Sequence, residues 1–345
     1  MKVGKWLICL VIVLLTGCFE TGEKNAQPSM SSSTDLPLNI NTPTSADLPA
    51  SKTIVLGFSQ LGSESTWRAA NTNSIKSAAL EAGISLIMKN AEQSQQKQVE
   101  AIRSFIESKV DIIAIAPVVQ TGWDDILEEA KLAGIPVIIL DRSINVKDHS
   151  LYVTYIGSDF FEEGVKAAKY MLDKMRHHSG QIKIAELQGT IGSTPSIDRG
   201  RGFRETIKGQ KNFNITMTRP ADFTKVGGRK VMQEFLSLPE DEWPQVLFSH
   251  NDDMAIGAVE AIEEAGLKPG TDIIIISVDG TRRAFEQMIA GNINAVVECN
   301  PFLGPLLMQA TQEIMSGRTL PKRMVPAEDI FPQELAAMEV GNRTY

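Results

Sequence analysis

The residues of this sequence best suited to bind a ligand lie after its apolar segments. Asp and Glu accept hydrogen bonds, Arg donates them from a planar fork, and Asn does both, so this set suits the adjacent hydroxyls of a polyhydroxylated molecule. Aromatic rings can stack on the apolar face of a sugar. The candidate ligand-binding residues are Glu64, Trp67, Arg68, Asp141, Arg142, Arg199, Phe223, Asn251, Asp279 and Glu298.

Each candidate also has a purely structural explanation. Asp252 or Asp253 could cap the helix that follows them, Asp279 could belong to a turn before Gly280, and Trp67 could be part of the core. Taken singly, each is about as well explained by structure as by ligand contact. A shared position at the same end of successive predicted strands is better explained by a common site.

The elements that carry these residues alternate regularly after Ser51. Short β-branched runs, such as Ile54–Phe58 and Asp111–Ala116, are typical of parallel strands buried on both faces. Helix-length stretches such as Thr66–Ala82 and Asp252–Ala265 lie between them, and several end in a Gly that favours return to the sheet. This alternation predicts a doubly wound α/β fold.

The number of strands is too large for one sheet. Four are predicted up to Asp141 and about six beyond it, with a seam near residues 152–159, so two α/β lobes are expected. In open α/β sheets, ligands bind outside the carboxyl ends of the strands. The candidate residues should therefore meet in a cleft between the lobes.

Composition argues against other kinds of site. The chain has 345 residues and a net charge of −8, which becomes more negative if Lys2 and Lys5 are removed, so a nucleic-acid footprint is not expected. Its 4 histidines and 3 cysteines show no metal-ligand spacing. Arg199–Gly202 lacks the order of a phosphate-binding glycine motif. We expect no metal and no cofactor.

Catalysis is also not expected. Several carboxylates in one cleft could indicate a glycosidase. However, Arg142 adjoins Asp141, and a nearby guanidinium lowers the pKa of a carboxyl group, whereas a general acid needs a raised pKa. No pairing of Ser or Cys with His is evident. The sequence therefore predicts a binding protein.

The N-terminus predicts export. Lys2 and Lys5 precede an apolar stretch from Trp6 to Leu15, which is too short to span a bilayer but suits the core of a signal peptide. The stretch ends in Leu15-Thr-Gly-Cys18, which resembles a lipobox and predicts lipidation of Cys18. The alternative is an ordinary secretory signal with an incidental cysteine. Residues 1–17 are thus assigned to the signal peptide, and the Ser-, Thr- and Pro-rich residues 18–51 to a flexible tether.

From about residue 53 onward the sequence resembles periplasmic sugar-binding proteins of the ribose/galactose class, and most closely the galactofuranose-binding proteins of ABC importers. The resemblance is carried by the segments Gly57–Arg68, Ala116–Trp123, Leu140–Ser143, Glu186–Gly192, Ile197–Arg199 and His250–Met254. It implies a type 1 periplasmic binding protein fold, with two Rossmann-like lobes joined by three crossings near Ser158, Asn300 and Pro326. The expected N-terminal lobe comprises residues 52–157 and 300–326, and the C-terminal lobe 158–299 and 327–345.

The resemblance also implies roles for residues and partners. Asp141 and Arg142 correspond to the grip of the N-terminal lobe on sugar hydroxyls, and Arg199, Asn251 and Asp279 to that of the C-terminal lobe. Trp67 and Phe223 take the stacking positions, Glu64 and Arg68 mark the galactofuranose type, and Glu298 at a crossing could reach the ligand. The expected protein is lipid-anchored in the cell envelope and delivers a monosaccharide to an ABC permease. A receptor that presents sugar to a chemoreceptor or sensor kinase, and a ribose binder, remain the alternatives.

Overall fold

The computed structural model describes residues 52–345, which form two α/β lobes of alternating strands and helices. The predicted signal peptide, the predicted tether and Cys18 lie outside the described residues. The strands are β1 Val55–Gln60, β2 Ser85–Asn90, β3 Ile112–Ile115, β4 Val137–Leu140, β5 Thr154–Ile156, β6 Ile182–Gln188, β7 Phe213–Pro220, β8 Val246–Ser249, β9 Ile274–Asp279, β10 Ala295–Glu298, β11 Arg323–Met324 and β12 Ile330–Pro332.

Ten α-helices accompany these strands within residues 52–345. They are α1 Thr66–Glu81, α2 Gln95–Glu107, α3 Asp124–Leu132, α4 Phe160–Lys174, α5 Thr194–Ile207, α6 Lys225–Leu236, α7 Asp252–Glu264, α8 Arg282–Ile289, α9 Gly304–Met315 and α10 Ala336–Glu339. Among the residues the structure describes, no helix combines the length and the apolar character needed to cross a membrane.

The strands form two six-stranded sheets, which confirms the predicted doubly wound fold. The first has the order β11-β5-β4-β3-β1-β2 and the second β12-β10-β9-β8-β6-β7. All pairs of neighbouring strands are parallel except β10 and β12. Because the strands are covered on both faces, the four residues of β3 and the four of β4 are all buried.

Each sheet lies between two hydrophobic clusters. In the first sheet, Ile75 of α1 and Leu307 of α9 cover one face, and Phe105 of α2 covers the other. In the second sheet, Phe203 of α5 packs on one face and Phe285 of α8 on the other. The amphipathic helices therefore hold the strand ends of each sheet in fixed positions.

The chain passes between the two sheets three times, between β5 and α4, between β10 and α9, and between β11 and β12. This is the three-crossing hinge that the resemblance implies. The lobes also contact one another away from the hinge, where Gln120 N–H donates to Gly192 O at 3.0 Å and Ser143 N–H donates to Thr194 Oγ1 at 3.1 Å. The structure is therefore that of a closed cleft.

Candidate functional site

The carboxyl ends of strands from both sheets meet at a cavity between the lobes. Its volume is about 30 Å3, well below the range of about 300–1,000 Å3 that small-molecule sites occupy, so the two lobes lie close together around it. Its lining residues are Glu64, Ser65, Trp67, Arg68, Asp141, Arg142, Phe160, Pro195, Arg199, Phe223, Asn251, Asp279 and Cys299. Nine of the ten candidate residues thus come together here.

Glu298 is the candidate that the structure does not bring to the cavity. Although it ends β10, its Oε1 accepts a hydrogen bond from Arg343 Nη1 at 2.6 Å. Its backbone N–H donates to Asp329 O at 2.8 Å. Arg343, near the C-terminus, thus holds the Glu298 carboxylate away from the cleft. The backbone bond to Asp329 links the second crossing of the hinge to the third.

The side of the cavity formed by the first lobe is a chain of buried charges. Arg68 Nη2 lies 2.6 Å from Asp141 Oδ2, and Arg68 Nε donates to Glu64 Oε1 at 3.0 Å. Arg142 Nη1 donates to Val118 O at 2.9 Å, which fixes that guanidinium against the loop after β3. Asp141 itself has a φ of 62°, so the chain turns sharply after β4 and places Asp141 and Arg142 side by side.

These buried charges shift one another's pKa. Burial raises the pKa of Glu64, but Arg68 and Arg142 more than offset this, so the net pKa is lowered and the carboxylate stays ionised. Burial opposes the charge of Arg68, yet Asp141 and Glu64 raise its pKa overall. Burial and the neighbouring Arg68 lower the pKa of Arg142 to about 10, which leaves it protonated at neutral pH.

Glu64 lines the cavity and also orients a neighbouring side chain. Its Oε1 accepts from Arg68 and its Oε2 accepts from Gln93 Nε2 at 2.8 Å, so both oxygens already have protein partners. The donors of this lobe that lack a hydrogen-bond partner within residues 52–345 include Arg68 Nη1 and Arg142 Nε. Glu64 therefore orients Arg68, and the two guanidinium groups hold the unsatisfied donors.

The second lobe presents its own guanidinium. Arg199 Nε donates to Glu163 Oε2 at 2.6 Å and Nη1 donates to His250 O at 2.6 Å, while Nη2 lies 4.0 Å from Asp279 Oδ1. Burial lowers the pKa of Arg199, but Glu163 more than offsets this, so Arg199 stays protonated. Burial and the nearby Asp252 raise the pKa of Asp279 well above its usual range.

Two aromatic rings complete the lining. Trp67 Nε1 donates to Cys299 O at 2.7 Å, which fixes the indole across the cleft, and the guanidinium of Arg68 lies 4.7 Å from its centroid. The ring of Phe223 has the guanidinium of Arg142 at 5.4 Å and that of Arg199 at 6.0 Å. Both rings are packed against cations, which limits their movement.

The structure shows which residue caps α7, for which the sequence offered Asp252 or Asp253. Its N-cap is Asn251, whose Oδ1 accepts from Met254 N–H at 3.0 Å and whose Nδ2 donates to Phe223 O at 3.2 Å. Asp252 instead accepts from Ser277 Oγ at 2.6 Å and from Thr281 N–H at 2.7 Å, which fixes the turn after β9. Asn251 thus joins two strand ends while it lines the cavity.

Four lining residues were not predicted from the sequence: Ser65, Phe160, Pro195 and Cys299. Phe160 and Pro195 lie at the beginnings of α4 and α5, where an apolar residue gives no chemical signal. Cys299 is buried and reduced. Their position next to the end of a helix or strand is the one sequence feature that could have indicated a place in the cavity lining.

One group of side chains could be considered for a metal ion. Within residues 52–345, Glu163, Cys299 and Glu328 bring ligand atoms within 4.8 Å of one another. Arg199 already donates to Glu163, and Ser158 and Asn300 already donate to Glu328. These donors, one of which is the Arg199 guanidinium, thus occupy the carboxylate oxygens that a metal ion needs as ligands.

Comparison with known proteins agrees with this architecture. A family model described as a periplasmic binding protein domain matches residues 56–319. The galactofuranose-binding protein YtfQ of Escherichia coli K12 is 43% identical over 79% of this chain and 85% of its own length. The chain belongs to the periplasmic binding protein family. These relatives are binding proteins and not enzymes, as the sequence predicts for this chain.

Two solved structures are also close. A Mycobacterium smegmatis protein in complex with β-D-fucofuranose is 47% identical, with a TM-score of 0.82 over 85% of this chain and 96% of that one. The periplasmic component of the arabinose ABC transporter of Shewanella sp. ANA-3, bound to L-arabinofuranose, is 46% identical, with a TM-score of 0.81 over 84% of this chain and 95% of that one.

Proposed function

We propose that this protein is the substrate-binding component of an ABC sugar importer and that it binds a monosaccharide in its furanose form, with galactofuranose as the best candidate. The observation that carries the proposal is the closed cavity that holds Arg68, Arg142 and Arg199 next to Asp141 and Asp279. Alternating donors and acceptors match a ring of hydroxyl groups. The three relatives described above are named with galactofuranose, fucofuranose and arabinofuranose, which supports the ring form.

The unsatisfied atoms of the first lobe support a ligand larger than ribose. Arg68 Nη1 and Arg142 Nε are buried donors that need acceptors in the occupied site. The exocyclic diol of a hexofuranose can supply one. Ribose lacks that diol and leaves a buried donor unpaired, at a cost of roughly 1–3 kcal/mol, which corresponds to about tenfold or more in affinity.

Calorimetry with three sugars tests this proposal. We expect methyl β-D-galactofuranoside to bind with micromolar affinity, which corresponds to about 8 kcal/mol, and ribose to bind at least about tenfold more weakly. Stronger binding of methyl β-D-galactopyranoside assigns the protein to the ordinary galactose group. Stronger binding of ribose shows that Arg68 does not select the ligand, and no heat with any of the three contradicts the proposal.

Closure is the proposed mechanism of recognition. We propose that residues 52–157 and 300–326 form one lobe and residues 158–299 and 327–345 the other, and that the sugar contacts both. A ligand that binds only the closed form shifts the population towards it by its differential affinity. The closed protein then docks on its permease, whose rearrangement separates the lobes and releases the sugar.

Anchoring is a second part of the proposal. We propose that the protein is lipidated on Cys18 and held at a membrane surface of the periplasm by its acyl chains. The support is the sequence Leu15-Thr-Gly-Cys18 after a short apolar stretch. Two or three acyl chains, at about 0.8 kcal/mol per buried methylene, give stable attachment.

A further inference from the structure

A single carboxyl group joins the three crossings of the hinge. Glu328 lies in the third crossing, and its Oε1 accepts from Ser158 Oγ of the first crossing at 2.6 Å. The same oxygen accepts from the backbone N–H of Asn300, in the second crossing, at 2.8 Å. Because the donors belong to different crossings, a rotation of the lobes about the hinge changes their distances to this oxygen.

A buried carboxyl, that of Glu163, lies next to the half-buried Glu328. Glu163 of α4 is almost completely buried, and its Oε1 has no hydrogen-bond partner among the described residues. Ligand atoms of Glu163, Glu328 and Cys299 all lie within 4.8 Å of one another, and Cys299 Sγ is also 3.4 Å from Ser158 Oγ. Two like charges at such a distance, one buried and one half-buried, repel each other, so the pair favours a bound proton.

The cations around the pair decide which carboxyl holds that proton. Burial raises the pKa of Glu163, but Arg199 of α5, which donates to its Oε2 at 2.6 Å, offsets part of that rise. Lys166 of α4 bonds at 2.7 Å to the backbone oxygen of Glu328, not to its side chain. Cys299, at the end of β10, contributes only a thiol. Glu328 therefore has no cation on its carboxyl group within residues 52–345, and it is the better proton site.

We propose that Glu328 is a positioning residue that binds a proton when the cleft closes, so that sugar binding is coupled to proton uptake at the hinge. This inference rests on the proposed sugar-binding function. It extends that function, because it makes the affinity for sugar depend on pH through a residue that does not line the cavity.

The direction of the coupling follows from burial. In the closed hinge, burial and the nearby Glu163 raise the pKa of Glu328 to about 8, whereas a carboxyl open to water has a pKa of about 4.3. The closed form therefore binds more protons than the open form between these values. Affinity should fall as pH rises through this window and become constant above about pH 8.

Calorimetry in buffers of different ionisation enthalpy measures the coupling directly. With methyl β-D-galactofuranoside at pH 7, we expect uptake of roughly one proton per sugar bound. In Glu328→Gln, which keeps the hydrogen-bond acceptor but cannot titrate, uptake should fall below about a third of that value. Affinity of the wild type should drop about tenfold or more from pH 6 to pH 8, and that of the variant should not. Glu263→Gln, an exposed residue of α7, serves as the matched control.

The outcomes separate the two proposals. Sugar binding with no proton uptake in the wild type, or equal uptake in Glu328→Gln, overturns the hinge proposal and leaves the proposed function standing. Absence of sugar binding overturns the proposed function and, with it, the coupling of sugar binding to a proton at the hinge.

Discussion

Thr66 and Asp253 bind the two lobes to each other. Asp253 Oδ2 accepts from the backbone N–H of Thr66 at 2.7 Å, and Oδ1 accepts from its hydroxyl at 3.1 Å. Thr66 is the first residue of α1, so the carboxylate of one lobe satisfies the N-terminus of a helix in the other. No ligand is needed for this contact, which stabilises the closed form by itself.

Replacement of Asp253 should therefore weaken sugar binding. A carboxylate at a helix N-terminus contributes about 1–2 kcal/mol, so Asp253→Ala should lower affinity by about 5- to 30-fold. Calorimetry measures this, with Thr66→Ser, which keeps both donors, as the control. An affinity of Asp253→Ala within about twofold of the wild type contradicts a role in closure.

Gly189 should be required for the position of Phe223. A Cβ at Gly189 lies 1.9 Å from Cζ of Phe223, and this ring is buried and lines the cavity. Gly189→Ala therefore pushes the ring into the space of the ligand, and we expect about a tenfold or greater loss of affinity. Gly341→Ala is the matched control, because no atom lies within 4 Å of its added Cβ. Unchanged affinity of Gly189→Ala shows that the ring moves elsewhere.

The second lobe should lose stability in acid through Glu186. Burial raises the pKa of this carboxyl, but His250, 3.0 Å away, and Arg204 lower it to about 2 overall. Since the folded pKa is below the unfolded value of about 4.3, the stabilisation is complete above that value and is lost as pH falls towards 2.

Urea unfolding between pH 7 and pH 3 measures this loss. Glu186→Gln should be less stable than the wild type at pH 7, with a flatter dependence on pH below about 4.3. Glu205→Gln, an exposed residue of α5, should keep the wild-type dependence. If Glu186→Gln keeps the wild-type dependence too, Glu186 does not carry the acid sensitivity.

Ligand should make the protein more compact. Because the proposed sugar contacts both lobes, small-angle scattering should show a smaller radius of gyration at saturating sugar than without it. The same measurement on Asp253→Ala should show a larger change, since that variant is expected to be more open without ligand. A radius that sugar leaves unchanged in both proteins contradicts closure as the mechanism.

The anchor can be tested in cells. The wild type should incorporate a palmitate analogue and partition with membranes, because the sequence Leu15-Thr-Gly-Cys18 resembles a lipobox. Cys18→Ser should lose the label and escape processing by the lipoprotein route. Label that persists in Cys18→Ser, or that the wild type lacks, contradicts lipidation at this residue.

Strand-end residues were predictable because the carboxyl ends of parallel strands meet at one edge of a sheet. Asp141, Asn251 and Asp279 each follow an apolar run that is visible in the sequence, and all three line the cavity. Glu298 satisfies the same pattern but turns away. Its partner Arg343 lies far along the chain, and no local pattern indicates that contact.

The hinge could not be predicted at the level of side chains. Glu163 lies within an amphipathic helix, where a Glu normally faces water, and Glu328 lies in a segment without periodicity. Strands β11 and β12, of two and three residues, are also too short to show any alternation. These elements depend on contacts between residues more than 100 positions apart, such as Ser158 with Glu328.

The three passages of the chain between the sheets affect the order in which the molecule can fold. The first sheet is completed by β11, at Arg323–Met324, long after β1 to β5 have been synthesised. Helix α9, which covers one face of that sheet, is equally late. A nascent chain that ends before residue 304 therefore has an apolar face without its cover. Truncation from the C-terminus should for this reason destabilise both lobes.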